Sequence, residues 1–205
     1  MNGTPPSPPR LDYEVLRLRA DEFLKRFWPE ATVPVNVERI VDARLKIDII
    51  PVPGLRDEIG VDGFLSRDRD AVYVDERVSN AVPSRYRFTL AHELGHLVLH
   101  EELYECADFH TPAEWLEFQE SLPDRDYSRY EFQAYCFGGL ILVPKDPLAS
   151  TVQEAVLKAK RRGYNVDLED PADRAYVADW VGKAFGVSAD VITRRGKYDG
   201  LWSEY

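Results

Sequence analysis

The sequence predicts an α+β fold in which a small three-stranded sheet precedes a mostly helical C-terminal half. Helical patterns come first, three short strand patterns lie between residues 45 and 75, and only helical patterns follow residue 83. Strands and helices that are segregated along a chain are typical of α+β domains and not of doubly wound parallel sheets. With 205 residues, of which 44% are hydrophobic, the chain can build one domain with appendages.

The first two elements are predicted helices. Between residues 11 and 28, apolar side chains recur at helical spacing, among them Leu16, Ala20 and Phe23. A second, short helix is expected to begin near Asn36, a residue type that is common at helix N-termini.

Three short strands are predicted next. Residues 45–52 alternate apolar and charged side chains, which is the period of a half-buried strand. A second strand is expected around Phe64, and residues 71–75 form a third one after a polar turn. Because the third strand is short and precedes the next helix closely, we expect it to form a sheet edge beside a cleft, where a substrate peptide can add as a further strand.

The rest of the chain is predicted to be helical, over residues 83–101, 113–122, 127–142, 147–162 and 171–185, with a short last helix after Ser188. We therefore divide the chain into a disordered proline-rich tail at 1–10, a main domain at 11–145 and a helical C-terminal extension at 146–205.

The composition argues against several classes of protein. A net charge of −10 repels phosphate backbones, so no direct nucleic-acid partner is expected. No apolar run is long enough to span a bilayer, and the N-terminus lacks the features of a signal peptide, so no membrane association is expected. The only cysteines, Cys106 and Cys136, form no CxxC pair, which favours a cytoplasmic location and two unligated thiols.

Residues 92–96 read HELGH, a pattern that predicts a zinc site. On a helix His92 and His96 lie on one face, roughly 5–6 Å apart at Cβ, so both imidazoles can converge on one ion. Glu93, about a third of a turn round the helix, can take a proton from the attacking water as a general base. The alternative is a surface helix with two solvated histidines, which leaves the position of Glu93 unexplained.

A third ligand has to come from elsewhere in the chain. His100 continues the spacing, but eight residues of helix rise about 12 Å, too far for His92 and His100 to share one ion. We therefore expect His100 to support the site from behind or to be structural. Glu131 lies on the next strongly patterned helix and is the candidate ligand, with a surface ion pair as its alternative.

Two segments resemble the ImmA/IrrE family of metallo-endopeptidases: RYRFTLAHELGHLVLH (Arg85–His100) and EFQAYCFGGLILVP (Glu131–Pro144). The C-terminal FGVSADVITRR (Phe185–Arg195) is also similar, so that the resemblance covers about residues 11–195. It implies a zincin-like α+β fold and zinc held by His92, His96 and the glutamate at position 131.

The resemblance also implies a biological role. Members of the family cleave or otherwise inactivate DNA-binding repressors in stress or mobile-element control. The expected partner is therefore a protein substrate, of the helix-turn-helix repressor or antitoxin-like class. The rival hypothesis is a non-catalytic, metal-stabilised partner that sequesters a transcriptional regulator. Glu93 favours the enzyme, because a structural zinc site needs no base and usually fills all four positions with Cys or His.

Several other side chains are candidates for assisting roles. Tyr135 stands where many relatives have Asn, and its hydroxyl could orient a histidine ligand. His110 could stabilise a tetrahedral intermediate, although an ordinary loop histidine is the simpler interpretation. Three tyrosines share this ambiguity: Tyr104, Tyr127 and Tyr130. A late basic cluster is interpreted as a solvated helix end, with a docking or DNA-reading surface as the alternative: Arg194, Arg195 and Lys197.

Overall fold

The computed structural model describes residues 5–202 and confirms the α+β prediction. In chain order the elements are α1 (Tyr13–Phe27), α2 (Val37–Arg39) continued by a π-helical turn (Ile40–Leu45), β1 (Asp48–Val52), α3 (Leu55–Ile59), β2 (Gly63–Leu65), β3 (Ala71–Asp75), α4 (Glu76–Ala81), α5 (Pro83–Leu99), α6 (Glu101–Cys106), α7 (Pro112–Ser121), α8 (Asp124–Leu142), α9 (Lys145–Arg161), α10 (Pro171–Phe185) and α11 (Ala189–Tyr198). No helix within residues 5–202 combines the length and apolar character that crossing a bilayer requires.

The sheet has the strand order β1-β3-β2, with β1 parallel and β2 antiparallel to β3. The expectation that residues 71–75 form a sheet edge is therefore wrong. The crossover from β1 through α3 and β2 brings β3 back between the two earlier strands, where Val72 and Val74 are fully buried. The three-residue strand β2 is an edge strand instead.

Three short helices, α3, α4 and α6, were not predicted from the sequence. Each has five or six residues, fewer than two turns, so no apolar period can be recognised in them. Asp75 connects two of them: its carboxylate accepts hydrogen bonds from the backbone N–H groups of Arg77 and Val78 in α4 and of Arg56 in α3. These bonds fix the C-terminal end of β3 to α3, which precedes it in the sequence, and to α4, which follows it.

Helices α5 and α8 lie in backbone contact with each other. A Cβ atom on Gly95 of α5 would lie 2.7 Å from the Cα of Ala134 in α8. At the other end of the contact, a Cβ atom on Gly138 of α8 would lie 3.1 Å from backbone atoms of Ala91. The two glycines allow the helix axes to approach more closely than larger side chains would permit. Helix α1 covers α8 from outside, with the ring of Phe23 edge-on to that of Phe137.

The N-terminal segment contacts the N-terminal half of α8. Residues 1–4 of the segment predicted to be disordered lie outside the described residues, whereas residues 5–10 have no regular secondary structure but make hydrogen bonds. The Tyr130 hydroxyl donates to the carbonyl of Pro6 over 2.7 Å, and the Gln133 amide donates to the carbonyl of Pro9 over 2.6 Å.

The C-terminal helices share the buried core of the rest of the chain. This core is one cluster of buried residues, whose members range in the sequence from Leu16 to Trp202. In α11 the side chain of Arg195 is only 4% exposed; it pairs with Asp199 at 2.8 Å and donates to the hydroxyl of Tyr13 at 2.6 Å. The interpretation of the basic cluster as a solvated helix end is therefore wrong for Arg195, although Arg194 is exposed.

Candidate metal centre

Helix α5 positions the two motif histidines. It begins at Pro83, and His92 and His96 lie one turn apart on the face that meets α8. The Nε2 atoms of the two imidazoles are 3.1 Å apart, so both rings direct the same nitrogen toward one point.

Glu131 of α8 completes a group of three candidate ligands. Its Oε2 lies 3.2 Å from His92 Nε2, and its Oε1 lies 3.2 Å from His96 Nε2. Two ligand atoms that bind a tetrahedral zinc ion at 2.0–2.1 Å are roughly 3.3 Å apart. The donor set and its spacing therefore fit one divalent ion. Among the described residues this is the group of His, Cys and acidic side chains that can converge on a metal.

The electrostatics of Glu131 suit a cation site. Burial opposes ionisation of the carboxyl group, but the hydrogen bonds from His92 and His96 outweigh it and hold the pKa of Glu131 well below its usual range. The group is therefore a carboxylate at neutral pH, which is the form that binds a metal ion.

Glu93 lies beside this group but outside it. Its side chain is buried, and Oε2 accepts a hydrogen bond of 2.9 Å from the backbone N–H of Leu65 in β2. Burial raises the pKa of Glu93, while the nearby His92 and His96 and the N–H of Leu65 limit the rise. The carboxyl group lines the cleft in front of the histidines, the position that a proton acceptor requires.

His100 stands behind His96, on the side away from Glu131. Its Nδ1 lies 3.0 Å from His96 Nδ1, and its Nε2 lies 3.0 Å from the Oε1 of Gln133. Burial, with His96 beside it, lowers the pKa of His100 to about 3, so the ring is neutral. Sequence reasoning did not single out Gln133, because a glutamine on an apolar helix face carries no motif of its own.

Tyr135 lines a pocket together with His92 and Glu131 but makes no hydrogen bond to them within the described chain, and His110 lies apart from the candidate ligands. The Tyr135 hydroxyl donates to Asp190 at 3.4 Å, and within residues 5–202 it has no hydrogen bond to either motif histidine. His110 is exposed and lies 3.8 Å from Asp108, in a separate depression under α7.

The candidate centre opens into a cleft of about 280 Å³. Its wall is largely aromatic and aliphatic, and includes Leu103, Tyr104, Trp115, Phe118, Leu122, Tyr127 and Tyr130. The structure distinguishes the three tyrosines that the sequence left undecided by the hydrogen bonds of their hydroxyl groups. The hydroxyl of Tyr130 is engaged by Pro6, whereas those of Tyr104 and Tyr127 make no hydrogen bond within the described chain.

The family model of the IrrE N-terminal-like domain, peptidase family M78, matches residues 64–196, about two thirds of the chain. The chain belongs to this family. The match extends from β2 to α11 and so includes the Leu65–Glu93 contact and both helices that carry the candidate ligands. It confirms the ImmA/IrrE resemblance and supports a metallopeptidase-type function for this chain. A comparison with curated proteins found no match.

Proposed function

We propose that this chain is a zinc-dependent endopeptidase that hydrolyses a peptide bond in a protein substrate. The observation that carries the proposal is the convergence of His92, His96 and Glu131 on one point, with the buried carboxyl of Glu93 beside them. Three protein ligands leave one position of a tetrahedral ion open, as a catalytic site requires. Structural zinc sites instead use four Cys or His ligands, and neither Cys106 nor Cys136 belongs to the group.

The roles of the side chains follow from their positions. Bound zinc would lower the pKa of a water molecule and polarise the scissile carbonyl. Glu93 takes a proton from the attacking water and passes it to the leaving amine. One of its oxygens is held by the N–H of Leu65 while its carboxyl group faces the cleft. Its raised pKa brings the carboxyl closer to the range in which a group can both accept and return a proton near neutral pH.

The edge strand β2 supplies a place for the substrate backbone. Asp62 and Ser66 use their backbone groups toward β3, in bonds of 2.8 Å each. Because these groups alternate in direction along an antiparallel strand, those of Gly63 and Leu65 turn to the opposite edge, where Leu65 meets Glu93. We propose that the substrate chain pairs with β2 at Gly63, the role that the sequence suggested for residues 71–75. Main-chain pairing gives affinity with little sequence selectivity.

The substrate that we propose is a transcriptional regulator of the helix-turn-helix repressor or antitoxin-like class, in stress or mobile-element control. The ImmA/IrrE resemblance supports this class. The net charge of −10 also favours recognition of the regulator protein over its DNA. The scarcity of cysteines supports a cytoplasmic location.

The test is to incubate the zinc-loaded protein with purified candidate regulators, using chelator-stripped protein in parallel. Mass spectrometry should find a new N-terminus in one regulator, formed only in the zinc-loaded sample. Tight binding of a regulator that stays intact with both samples would favour the non-catalytic partner instead.

A further inference from the structure

A line of buried hydrogen bonds connects the candidate ligand His96 to the N-terminal segment. His96 Nδ1 contacts His100 Nδ1 at 3.0 Å, His100 Nε2 contacts Gln133 Oε1 at 3.0 Å, and Gln133 Nε2 donates to the carbonyl of Pro9 at 2.6 Å. The exposed fractions of His96, His100 and Gln133 are 7%, 2% and 1%. Water therefore has little access to the line.

The position of each proton follows from the far end of this line. A backbone carbonyl can only accept, so Pro9 holds the Gln133 amide with its NH₂ outward and its oxygen toward His100. The Oε1 atom can only accept, so His100 carries a proton on Nε2. Its Nδ1 is then free to accept a hydrogen bond from the protonated Nδ1 of His96. Because His96 uses its Nδ1 proton in this line, its Nε2, which hydrogen-bonds to Glu131 in the metal-free site, is the nitrogen that a metal ion can occupy.

We propose that Gln133 and the carbonyl of Pro9 are positioning groups that hold His96 in its metal-binding tautomer. The inference rests on the proposed zinc site. Groups that bind the second nitrogen of a histidine ligand fix its ring and tautomer, and their loss typically costs about 10–100-fold in metal affinity. Here that group is another histidine, and it is oriented in turn by an amide that the N-terminal segment holds.

The N-terminal segment binds to α8, the helix that also carries Glu131. Asp126, Tyr130 and Gln133 follow the i, i+4, i+7 spacing that places side chains along one stripe of α8. They bond in turn to the Ser7 hydroxyl, to the carbonyl of Pro6 and to that of Pro9. The N-terminal residues are therefore bound along the full stripe, and the Pro9 contact is the innermost one.

The experiment measures zinc affinity by chelator competition on the purified full chain. Gln133→Met removes both partners at similar length, and we expect the dissociation constant for zinc to rise about 10–100-fold. Gln133→Glu keeps an acceptor for His100 but loses the donor to the Pro9 carbonyl, which a carboxylate oxygen would then face. It should release the N-terminal segment, while the dissociation constant for zinc rises less than in Gln133→Met.

Two truncations test the Pro9 carbonyl. A chain that begins at Asp12 behind an initiator Met lacks it, lets the Gln133 amide turn over, and should bind zinc more weakly. A chain that begins at Pro5 keeps every contact of the line and should match the full chain. Thermal unfolding of the metal-free proteins reports how much of any change is a general loss of stability.

Nitrogen NMR of the imidazoles gives a readout that a purely structural role would not move. In the metal-free wild type, His96 should be protonated on Nδ1 and His100 on Nε2, and Gln133→Met should change this pattern. The inference is wrong if folded Gln133→Met binds zinc as the wild type does. It is equally wrong if that variant does not fold and the Asp12 truncation keeps full affinity. Failure of the wild type to bind zinc would refute the proposed function instead, and the tautomers would still test the line.

Discussion

Gly95 lies directly against the backbone of Ala134, and this contact brings the candidate ligands together. A Cβ atom at position 95 would be 2.7 Å from the Cα of Ala134, closer than real side chains approach. Because the two backbones touch here, Glu131, one turn before Ala134, reaches His92 and His96 on the opposite helix. The glycine of HELGH thus has a geometric role of its own.

Gly95→Ala should therefore both destabilise the protein and weaken the metal site. The obstructing atoms belong to backbone and cannot rotate away, so α8 has to shift; overpacking of this kind costs about 1–3 kcal/mol. Urea unfolding and chelator competition measure the two effects. Gly139→Ala, on α8, is the matched control: its nearest contact would be 3.7 Å, and the better helix propensity of alanine should leave stability unchanged or higher. Equal behaviour of the two variants would contradict the packing argument.

Glu93→Gln should retain the fold, the zinc content and regulator binding, while slowing cleavage roughly 10²–10⁴-fold. The amide preserves the size of the side chain and still accepts from Leu65, but it cannot take a proton. Rates of regulator cleavage measure the effect, with Glu120→Gln, at an exposed residue that does not line the cleft, as control. An unchanged rate for Glu93→Gln would mean that hydrolysis is not the mechanism.

Metal analysis should find one zinc per chain. His92→Ala and Glu131→Ala should lose most of it, because each removes one of the three candidate ligands found among the described residues. His100→Ala should still fill the site at saturating zinc, even where its affinity is lower, and His110→Ala should match the wild type. An empty site in His100→Ala beside a full one in Glu131→Ala would exclude the proposed ligand set.

The tyrosine variants should separate into two groups. Tyr104→Phe or Tyr127→Phe should lower kcat with little change in KM, because one of these unengaged hydroxyls can donate to the developing oxyanion. Loss of such a donor typically costs about 10²–10³-fold in kcat. Tyr130→Phe is the control, since its hydroxyl donates to Pro6. The assignment fails if Tyr130→Phe is the slowest of the three.

Arg195→Met should reduce the free energy of unfolding by about 3–5 kcal/mol, because it leaves the buried carboxylate of Asp199 without its cation. Arg194→Met removes the neighbouring charge, whose side chain is 58% exposed and whose ion pair with Asp190 contributes about 0–1 kcal/mol. Denaturant titration of both variants checks the difference. Similar losses would show that the Arg195–Asp199 pair does not stabilise the fold.

Local patterns were sufficient for the long elements and for the centre of the site. The i, i+4 spacing of His92 and His96 specifies a shared helix face whatever the rest of the fold does. Glu131 followed from a strongly periodic helix together with the family resemblance. The ends of α10 were also predictable, since Pro171 and Gly186 begin and terminate a helix for local reasons.

Relationships between distant segments were not predictable in this way. Strand order depends on the path of the crossover, so the length of residues 71–75 did not reveal that β3 is central. The burial of Arg195 depends on Tyr13, 182 residues earlier in the chain, and not on the charge pattern of α11. The contact of Pro9 with Gln133 spans 124 residues. Periodicity carries no information about which surfaces meet.

The hydrogen bond from Leu65 to Glu93 links the site on α5 and α8 to β2, a part of the protein with a different local stability. The candidate ligands belong to long helices in close contact, and Glu93 lies on one of them, but its carboxyl group is held by a hydrogen bond from an edge strand of three residues. Short edge elements open in small, local unfolding events well below the free energy of global unfolding. In mild denaturant, opening of β2 would remove the hydrogen bond that holds the Glu93 carboxyl group, while α5 and α8 still hold the ion. Catalytic competence would then be lost at a lower urea concentration than metal retention, and sequence changes in β2 could adjust turnover without altering how tightly the ion is bound.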